Sequence, residues 1–146
     1  MPYLPPLHPI FYSDSIPSGV VVYFRTNTPV SPSEFVHSIC SNTLDSGVLQ
    51  SRWTNRLTPI ERTGKATVES LEEVARIVLK PHFHEGQSGV RFAIRPTIRN
   101  HNILSRELVI NTIAKCVGRE HQVDLKAYDV LILVEVYKVG VPRNGG

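Results

Sequence analysis

The sequence predicts an α+β protein made of two small units that lie side by side. Apolar, β-branched runs alternate with segments of helical period, in the order β-α-β and then α-β-α-β. The length of 146 residues allows one ordinary domain or two very small ones. The apolar share of 41% is typical of a packed protein. Because each unit alone would have a thin core, we expect the two to pack on each other.

The first unit is predicted to follow an irregular, proline-rich tail at residues 1–18. Residues 19–25 form a short apolar run, which indicates a strand that is covered on both faces. Ser31 is predicted to cap a helix, since Pro32 suits the first helical position and Glu34 can complete a capping box.

That first helix is predicted to end near Asn42, and residues 48–57 indicate the next strand. The apolar stripe of the helix consists of Phe35, Val36, Ile39 and Cys40. Cys40 and Cys116 lie far apart, each on an apolar helical face, and neither belongs to a paired motif. We interpret both as buried free thiols, rather than as a disulfide or a nucleophile.

The second unit is predicted to begin with an amphipathic helix at residues 67–80. Its apolar residues follow the spacing i, i+3, i+4 and i+7, at Leu71, Val74, Ala75 and Val78. Ser70 can form a capping box with Glu73, and Pro81 is expected to end the helix.

A strand, a helix and a further strand complete the second unit. Residues 90–95 indicate the first strand, which Pro96 should end or mark as an edge because proline has no N–H for a ladder. Ser105 caps the next helix and Gly118 stops it. Its core positions are Val109, Ile110, Ile113, Ala114 and Val117. Residues 130–137 are the most apolar run and indicate a central strand.

The net charge of +3 is unevenly distributed along the chain. Residues 1–51 carry −2, residues 52–106 carry +5 and residues 107–146 are neutral. A local basic field is informative about partners rather than about fold. Polyanions, with nucleic acid first among them, are the natural candidates.

The basic segment centres on three arginines. In the predicted strand, Arg91 and Arg95 share one face, whereas Phe92 and Ile94 face the core. Arg99 is predicted to follow in a loop, with the polar residues Asn100, His101 and Asn102. Sequence between Ser88 and Ser105 contains no acid for local pairing. We interpret the segment as an anion-binding surface, because the planar guanidinium matches phosphate oxygens; the alternative is a solvated strand face.

The sequence gives no positive sign of catalysis. Lys65 follows a glycine, but the upstream glycine and the Ser or Thr of a phosphate-binding loop are missing. Lys65 is therefore either a phosphate contact or an exposed loop lysine. His82 and His84 lack the further ligands that a closed metal site requires, so a solvated loop or an RNA contact is favoured.

Four further residues allow more than one interpretation. Trp53 can stack on a base, but core packing is favoured. Arg56 and Asn55 lie beside the basic segment and point to opposite faces if the chain is extended there, so at most one should reach a ligand. Glu135, an acid within an apolar strand, is either a buried partner for an arginine or a solvated strand-edge acid.

Several segments together resemble THUMP-domain proteins, and specifically the eukaryotic adaptor that delivers tRNA to the RNA cytidine acetyltransferase. The resemblance covers about residues 19–138. It rests on segments 55–59, 64–66, 78–83, 92–102, 123–125 and 133–138. The resemblance implies a ferredoxin-like N-terminal unit at residues 19–60, packed on a THUMP α/β domain at residues 61–146.

The resemblance further implies a protein that binds tRNA without catalysis and needs no cofactor or metal. Its partner acetyltransferase forms N4-acetylcytidine in the D-arm of serine and leucine tRNAs, inside the cell, in the nucleus, nucleolus or cytoplasm. The RNA contacts carried over are Arg95, Arg99, Asn100 and His101, with Arg91, Lys65, Arg56 and Lys138 as weaker candidates. Shape, phosphate and 2′-hydroxyl recognition suit such groups.

Two regions depart from the pattern of that family. The proline-rich start matches nothing in it, and residues 139–146 replace a small-residue strand and a basic tail. We therefore expect a THUMP domain that is truncated at its C-terminus and exposes a sheet edge. The alternatives to an adaptor are an RNA-targeting fragment of a tRNA methyltransferase or thiouridine synthase, and a protein-interaction module.

Overall fold

The computed structural model describes residues 8–10, 23–49, 51, 54, 56–99 and 102–137. The chain divides into two compact units, Met1–Glu61 and Arg62–Gly146. The described residues form three helices, an antiparallel strand pair in the first unit and a parallel three-stranded sheet in the second. Within the described ranges, no helix is both long and apolar enough to cross a membrane.

The first unit contains two short strands and one helix. Strand β1 (His8–Ile10) pairs antiparallel with β2 (Tyr23–Arg25), and α1 spans Pro32–Ser46. The prediction of an irregular tail is therefore wrong at β1. Of the strand predicted at residues 19–25, the described part is β2, and the rest lies outside the described residues.

Helix α1 confirms the predicted start but not the predicted end. The backbone N–H of Glu34 donates to the Ser31 side-chain oxygen at 3.4 Å, as a serine cap requires. The helix continues past Asn42 because the left-handed cap is Gly47, with φ of 66°. Cys40 is exposed, so its predicted burial is wrong, and no residue of α1 is fully buried.

The strand predicted at residues 48–57 is absent from the described residues of that segment. Side chains there bond to their own neighbourhood instead. The N–H of Thr54 donates to the Ser51 hydroxyl at 3.3 Å, and Arg56 Nε donates to Thr58 Oγ1 at 3.1 Å. Such local bonds compete with a strand ladder, which explains why the apolar run at Val48 did not extend into one.

In the second unit, two helices cover one face of the sheet. Helix α2 spans Val68–Phe83 and α3 spans Arg106–Val117. Strand β3 (Arg91–Arg99) lies between β4 (Gln122–Val123) and β5 (Val130–Tyr137), and both neighbours run parallel to it. The core contains the buried side chains of Ala75, Leu79, Phe83, Phe92, Leu104, Val109, Ile113, Val117 and Val136.

Helix α2 confirms its predicted start but not its predicted end. Its N-cap is Thr67, whose side-chain oxygen accepts from the Ser70 N–H at 3.3 Å. At the other end Pro81 lies inside the helix, which continues to Phe83. The Phe83 ring is fully buried and meets the Phe92 ring edge-on, with 5.7 Å between centroids. Burial of that ring offsets the helical hydrogen bond that proline cannot make.

Strand β3 continues through Pro96 to Arg99, so the prediction that Pro96 ends the strand is wrong. The Phe92 carbonyl accepts from the β4 side, whereas the Arg91 carbonyl accepts from the β5 side. By alternation, Pro96 faces the β4 side, and β4 pairs only with Arg91 and Phe92. The missing N–H of Pro96 therefore costs no ladder bond among the described strands. Pro96 marks an edge, which was the alternative prediction for this residue.

The central position belongs to β3 rather than to the more apolar β5. In the described part of the chain, β5 pairs with β3 alone. Its apolar character comes from two sets of residues. Val130, Ile132, Val134 and Val136 pack against the helices, and Leu131 and Leu133 are half-buried on the other face. The apolar run thus predicted the strand correctly, but it did not predict the position of β5 in the strand order of the described sheet.

Candidate nucleic-acid interface

The sheet of the second unit has a face that points away from the cluster formed with α2 and α3. Phe92, Ile94 and Ile98 of β3 belong to that cluster, so the alternate residues of β3 lie on the opposite face. In β5 the same alternation applies. We call this the arginine face, and it consists of Arg91, Arg95, Thr97, Arg99, Leu133, Glu135 and Tyr137.

Arg91 is neutralised by an acid from the turn before β5. Its Nη2 lies 2.7 Å from Asp129 Oδ1, and its Nε lies 3.2 Å from Asp129 Oδ2. The Arg91 backbone N–H also donates to that carboxylate, at 3.1 Å. This double hydrogen bond holds the pKa of Asp129 below its ordinary value and the pKa of Arg91 above its own. Arg91 therefore ties β3 to β5, and its charge is compensated.

Arg95 and Arg99 differ from Arg91 in their surroundings. Within the described residues, neither guanidinium forms an ion pair with a carboxylate. Arg95 is exposed and Arg99 is half-buried. Because Arg99 is the last residue of β3 rather than part of a loop, it shares a face with Arg95, four positions earlier. The two cations are thus placed to act on one ligand.

The β5 neighbours of these arginines are set by the parallel register. Arg95 lies beside Leu133, Thr97 beside Glu135 and Arg99 beside Tyr137. The hydroxyl of Tyr137 donates to Glu135 Oε2 at 2.8 Å. Glu135 is half-buried, and this bond places the hydroxyl of a tyrosine from the same strand on its carboxylate.

The structure describes only some of the other predicted RNA contacts. Asn100, His101 and Lys138 lie outside the described residues, as do Trp53 and Asn55. Lys65 is exposed in the loop before α2.

Arg56 belongs to the first unit, where it contacts Thr58. Arg56 and Lys65 therefore remain predictions as RNA contacts.

One cation that the sequence reasoning missed lies at the edge of the sheet. Arg106, the first residue of α3, donates from Nη1 to the Pro96 carbonyl at 3.0 Å. Its position directly after the Ser105 cap indicated that it lies at the start of the helix. The sequence did not reveal the contact between Arg106 and the Pro96 carbonyl, because this contact requires β3 to continue through Pro96.

Histidines and cysteines of the second unit have structural contacts. His84 Nε2 lies 2.8 Å from the Cys116 carbonyl oxygen. The Cys116 thiol is half-buried, and burial raises its pKa. Among the described side chains, no group of three or more metal-binding residues occurs.

Comparison with known proteins gives a family match over the second unit. The model of the THUMP domain matches residues 65–141, which is more than half of the chain. Over 131 residues the chain is 38% identical to the tRNA acetyltransferase TAN1 of Saccharomyces cerevisiae, covering 83% of this chain and 45% of that protein.

Two further relatives are similar over comparable lengths. An uncharacterized protein of Schizosaccharomyces pombe is 41% identical over 119 residues, covering 80% of this chain and 41% of its own length. THUMP domain-containing protein 1 of Mus musculus is 33% identical over 129 residues, covering 85% and 36%. The chain thus spans less than half the length of these relatives. The match over residues 65–141 shows that the chain belongs to the family of THUMP-domain proteins.

Proposed function

We propose that this protein is a tRNA-binding adaptor that supports formation of N4-acetylcytidine by a partner RNA cytidine acetyltransferase. The observation that carries the proposal is the pair of cations on the arginine face. Arg95 and Arg99 share one side of β3, and neither forms an ion pair with a described acid. A relative that is 38% identical is called a tRNA acetyltransferase, which supports tRNA as the ligand.

The geometry of β3 suits a ribose-phosphate chain. Arg99 lies four positions after Arg95 in the strand, so their backbones lie about 13 Å apart. The two guanidinium groups are therefore expected to contact different phosphates of one strand, each with a planar fork of donors. Contacts of this kind position a nucleic acid and make binding depend on salt.

The proposal assigns the remaining predicted residues to supporting roles. Asn100 and His101, which follow β3 in the sequence, would add further RNA contacts, with Lys65, Arg56 and Lys138 as weaker contacts. Arg91 would contribute less than Arg95, because Asp129 already compensates its charge.

Residues 19–60 would form the ferredoxin-like unit and residues 61–146 the THUMP domain. We place this activity inside the cell, with serine and leucine tRNAs as substrates.

A gel-shift titration with tRNA tests the binding half of the proposal. Replacing both Arg95 and Arg99 with alanine is expected to weaken binding about tenfold or more, because charge-assisted hydrogen bonds are lost. The slope of log affinity against log salt should fall by about 1.4, as expected for two single-strand phosphate contacts.

The matched control replaces Arg76 and Arg119, which are exposed on α2 and after α3. This control variant removes the same charge but leaves the arginine face intact, so it should bind nearly as well as the unaltered protein. Equal weakening in both double variants would show general electrostatics rather than a site. Unchanged affinity in a folded Arg95→Ala/Arg99→Ala variant would contradict the proposal.

A further inference from the structure

We propose that Arg106 is a third phosphate contact, and that it binds the phosphate lying between those held by Arg95 and Arg99. This inference rests on the proposed function, since it requires a nucleic-acid strand on the arginine face. It extends the RNA-binding surface from β3 to the first residue of α3, and it predicts recognition of three consecutive phosphates.

The contact between Arg106 and Pro96 places a guanidinium midway along the interval between the two arginines of β3. Nη1 of Arg106 donates to the Pro96 carbonyl oxygen at 3.0 Å. That carbonyl belongs to the peptide bond that joins Pro96 to Thr97. Thr97 lies two residues from each of Arg95 and Arg99, which is about 6.6 Å of strand on either side. The Arg106 guanidinium is therefore level with the midpoint of the pair.

The spacing of the two arginines leaves room for one phosphate between them. Successive phosphates of a nucleic-acid strand are separated by roughly the 6.6 Å that two residues of β-strand span. A strand whose phosphates meet Arg95 and Arg99 therefore has one further phosphate at the level of Thr97. At this level β5 contributes Glu135, an acid that has no donor when ionised, whereas the opposite side of β3 contributes Arg106.

Arg106 lies at the edge of β3 that the short strand β4 leaves uncovered. The Pro96 carbonyl faces the β4 side, and β4 pairs only with Arg91 and Phe92. No described strand therefore lies beside β3 on that side at Pro96. A nucleic-acid backbone that runs along this edge of the arginine face can meet all three guanidinium groups.

The Arg106 side chain keeps donors for a ligand. A guanidinium carries five N–H groups in a planar fork, and within the described residues one of them is used, on the Pro96 carbonyl. Arg106 is exposed, and it forms no ion pair with a described acid, its neighbour Glu107 included. The bond to Pro96 orients the fork, so the donors on Nε and Nη2 remain for two oxygens of one phosphate.

Phosphate-ethylation interference on tRNA tests the inference, because an ethylated phosphate loses its charge at one identifiable position. The full chain is mixed with sparsely ethylated tRNA, and the bound molecules are separated and cleaved at their ethylated positions. Positions that are missing from the bound fraction mark the phosphates that the protein requires. For the unaltered protein, we expect a run of three consecutive phosphates among these positions.

Each arginine variant should remove one position from that run. Arg106→Ala is expected to lose the middle position and to keep the flanking ones, which Arg95→Ala and Arg99→Ala lose instead. Arg106→Ala should also weaken tRNA binding about threefold to tenfold. The slope of log affinity against log salt should fall by about 0.7. The control Lys115→Ala removes an equal charge in the last turn of α3, so the run and the affinity should stay unchanged.

A second variant separates a phosphate contact from a role in covering the sheet edge. Arg106→Gln keeps an N–H donor for the Pro96 carbonyl but carries no charge, so it should lose the middle position as Arg106→Ala does. If Arg106→Ala does not fold, Arg106→Gln and the run in the unaltered protein decide the question.

The outcomes separate this inference from the proposed function. Two required positions with an indifferent phosphate between them, in the unaltered protein, would overturn the inference and leave the adaptor proposal standing. The same holds if Arg106→Ala and Arg106→Gln keep the middle position, since Arg106 would then only cover the edge of the sheet. If the unaltered protein binds no tRNA, the proposed function fails first.

Discussion

At the scale of single residues, the structure separates three arginines that look alike in the sequence. Arg91 is paired with Asp129, which lies 38 positions later. Arg95 and Arg99 have no such ion pair among the described acids. The sequence around Arg91 contains no acid, but this did not exclude an ion pair with a distant acid. Pairing of parallel strands brings segments together that lie far apart in the sequence.

The pair of Arg91 and Asp129 predicts how stability depends on pH. The folded protein holds the pKa of Asp129 below its ordinary value of 3.8. The stabilisation is therefore fully present above pH 3.8, and it is lost as the pH falls through the folded pKa. Asp129→Asn should lower the urea midpoint of unfolding at pH 6 and have much less effect near pH 2.

Comparing the variant with the unaltered protein at each pH removes contributions that both share. Asp124 is one of these, since backbone N–H groups of Ala127 and Lys126 also lower its pKa. A difference between the two proteins that stays constant from pH 6 to pH 2 would contradict the role given to Asp129.

Helix caps show what local sequence predicts well. Ser31 and Ser105 cap their helices as expected, because the signal and the bond both lie within one turn. The predicted start of α2 at Thr67 is confirmed in the same way, since Thr67 is its N-cap.

At the scale of elements, β3 shows why strand ends are harder to predict than strands. Its alternation of core and arginine residues was predicted from sequence, and the structure confirms it. Its length was wrong, because Pro96 faces the side on which the short β4 has no residue to pair. The penalty for proline therefore depended on a neighbour that the local sequence does not reveal.

Pro96 and Arg106 together close this edge of the sheet. Proline offers no donor there, and Arg106 occupies the Pro96 carbonyl. Natural sheets use proline and charged side chains in this way to prevent pairing between molecules. We expect Pro96→Val combined with Arg106→Ala to self-associate as concentration rises, measured by light scattering.

The single variants serve as controls for the edge prediction, because each leaves one of the two protections in place. They should associate less than the combined variant. A combined variant that stays folded and monomeric at every concentration would show that other residues protect the edge.

At the scale of the whole molecule, sequence resemblance was more informative than composition. Charge distribution indicated a polyanion as partner, and the family match over residues 65–141 shows the family, on which the proposal of RNA as that partner draws. The chain covers less than half of its relatives, so its part in acetylation has to be tested with the partner present.

We predict that the protein forms no N4-acetylcytidine by itself when supplied with tRNA and an acetyl donor. Adding it to the RNA cytidine acetyltransferase should raise acetylation of serine and leucine tRNAs, measured by mass spectrometry of nucleosides. The Arg95→Ala/Arg99→Ala variant should lose most of that stimulation. Product formed without the acetyltransferase would show an enzyme instead of an adaptor.

The four-residue interval between Arg95 and Arg99 also constrains how this gene can change. Inserting or deleting one codon between them would rotate every later side chain of β3 by half a turn about the strand. Arg99 would then point into the apolar layer, and Ile98 would move to the surface. We therefore expect natural variants of this segment to tolerate substitutions at positions other than the two arginines more readily than a change in its length.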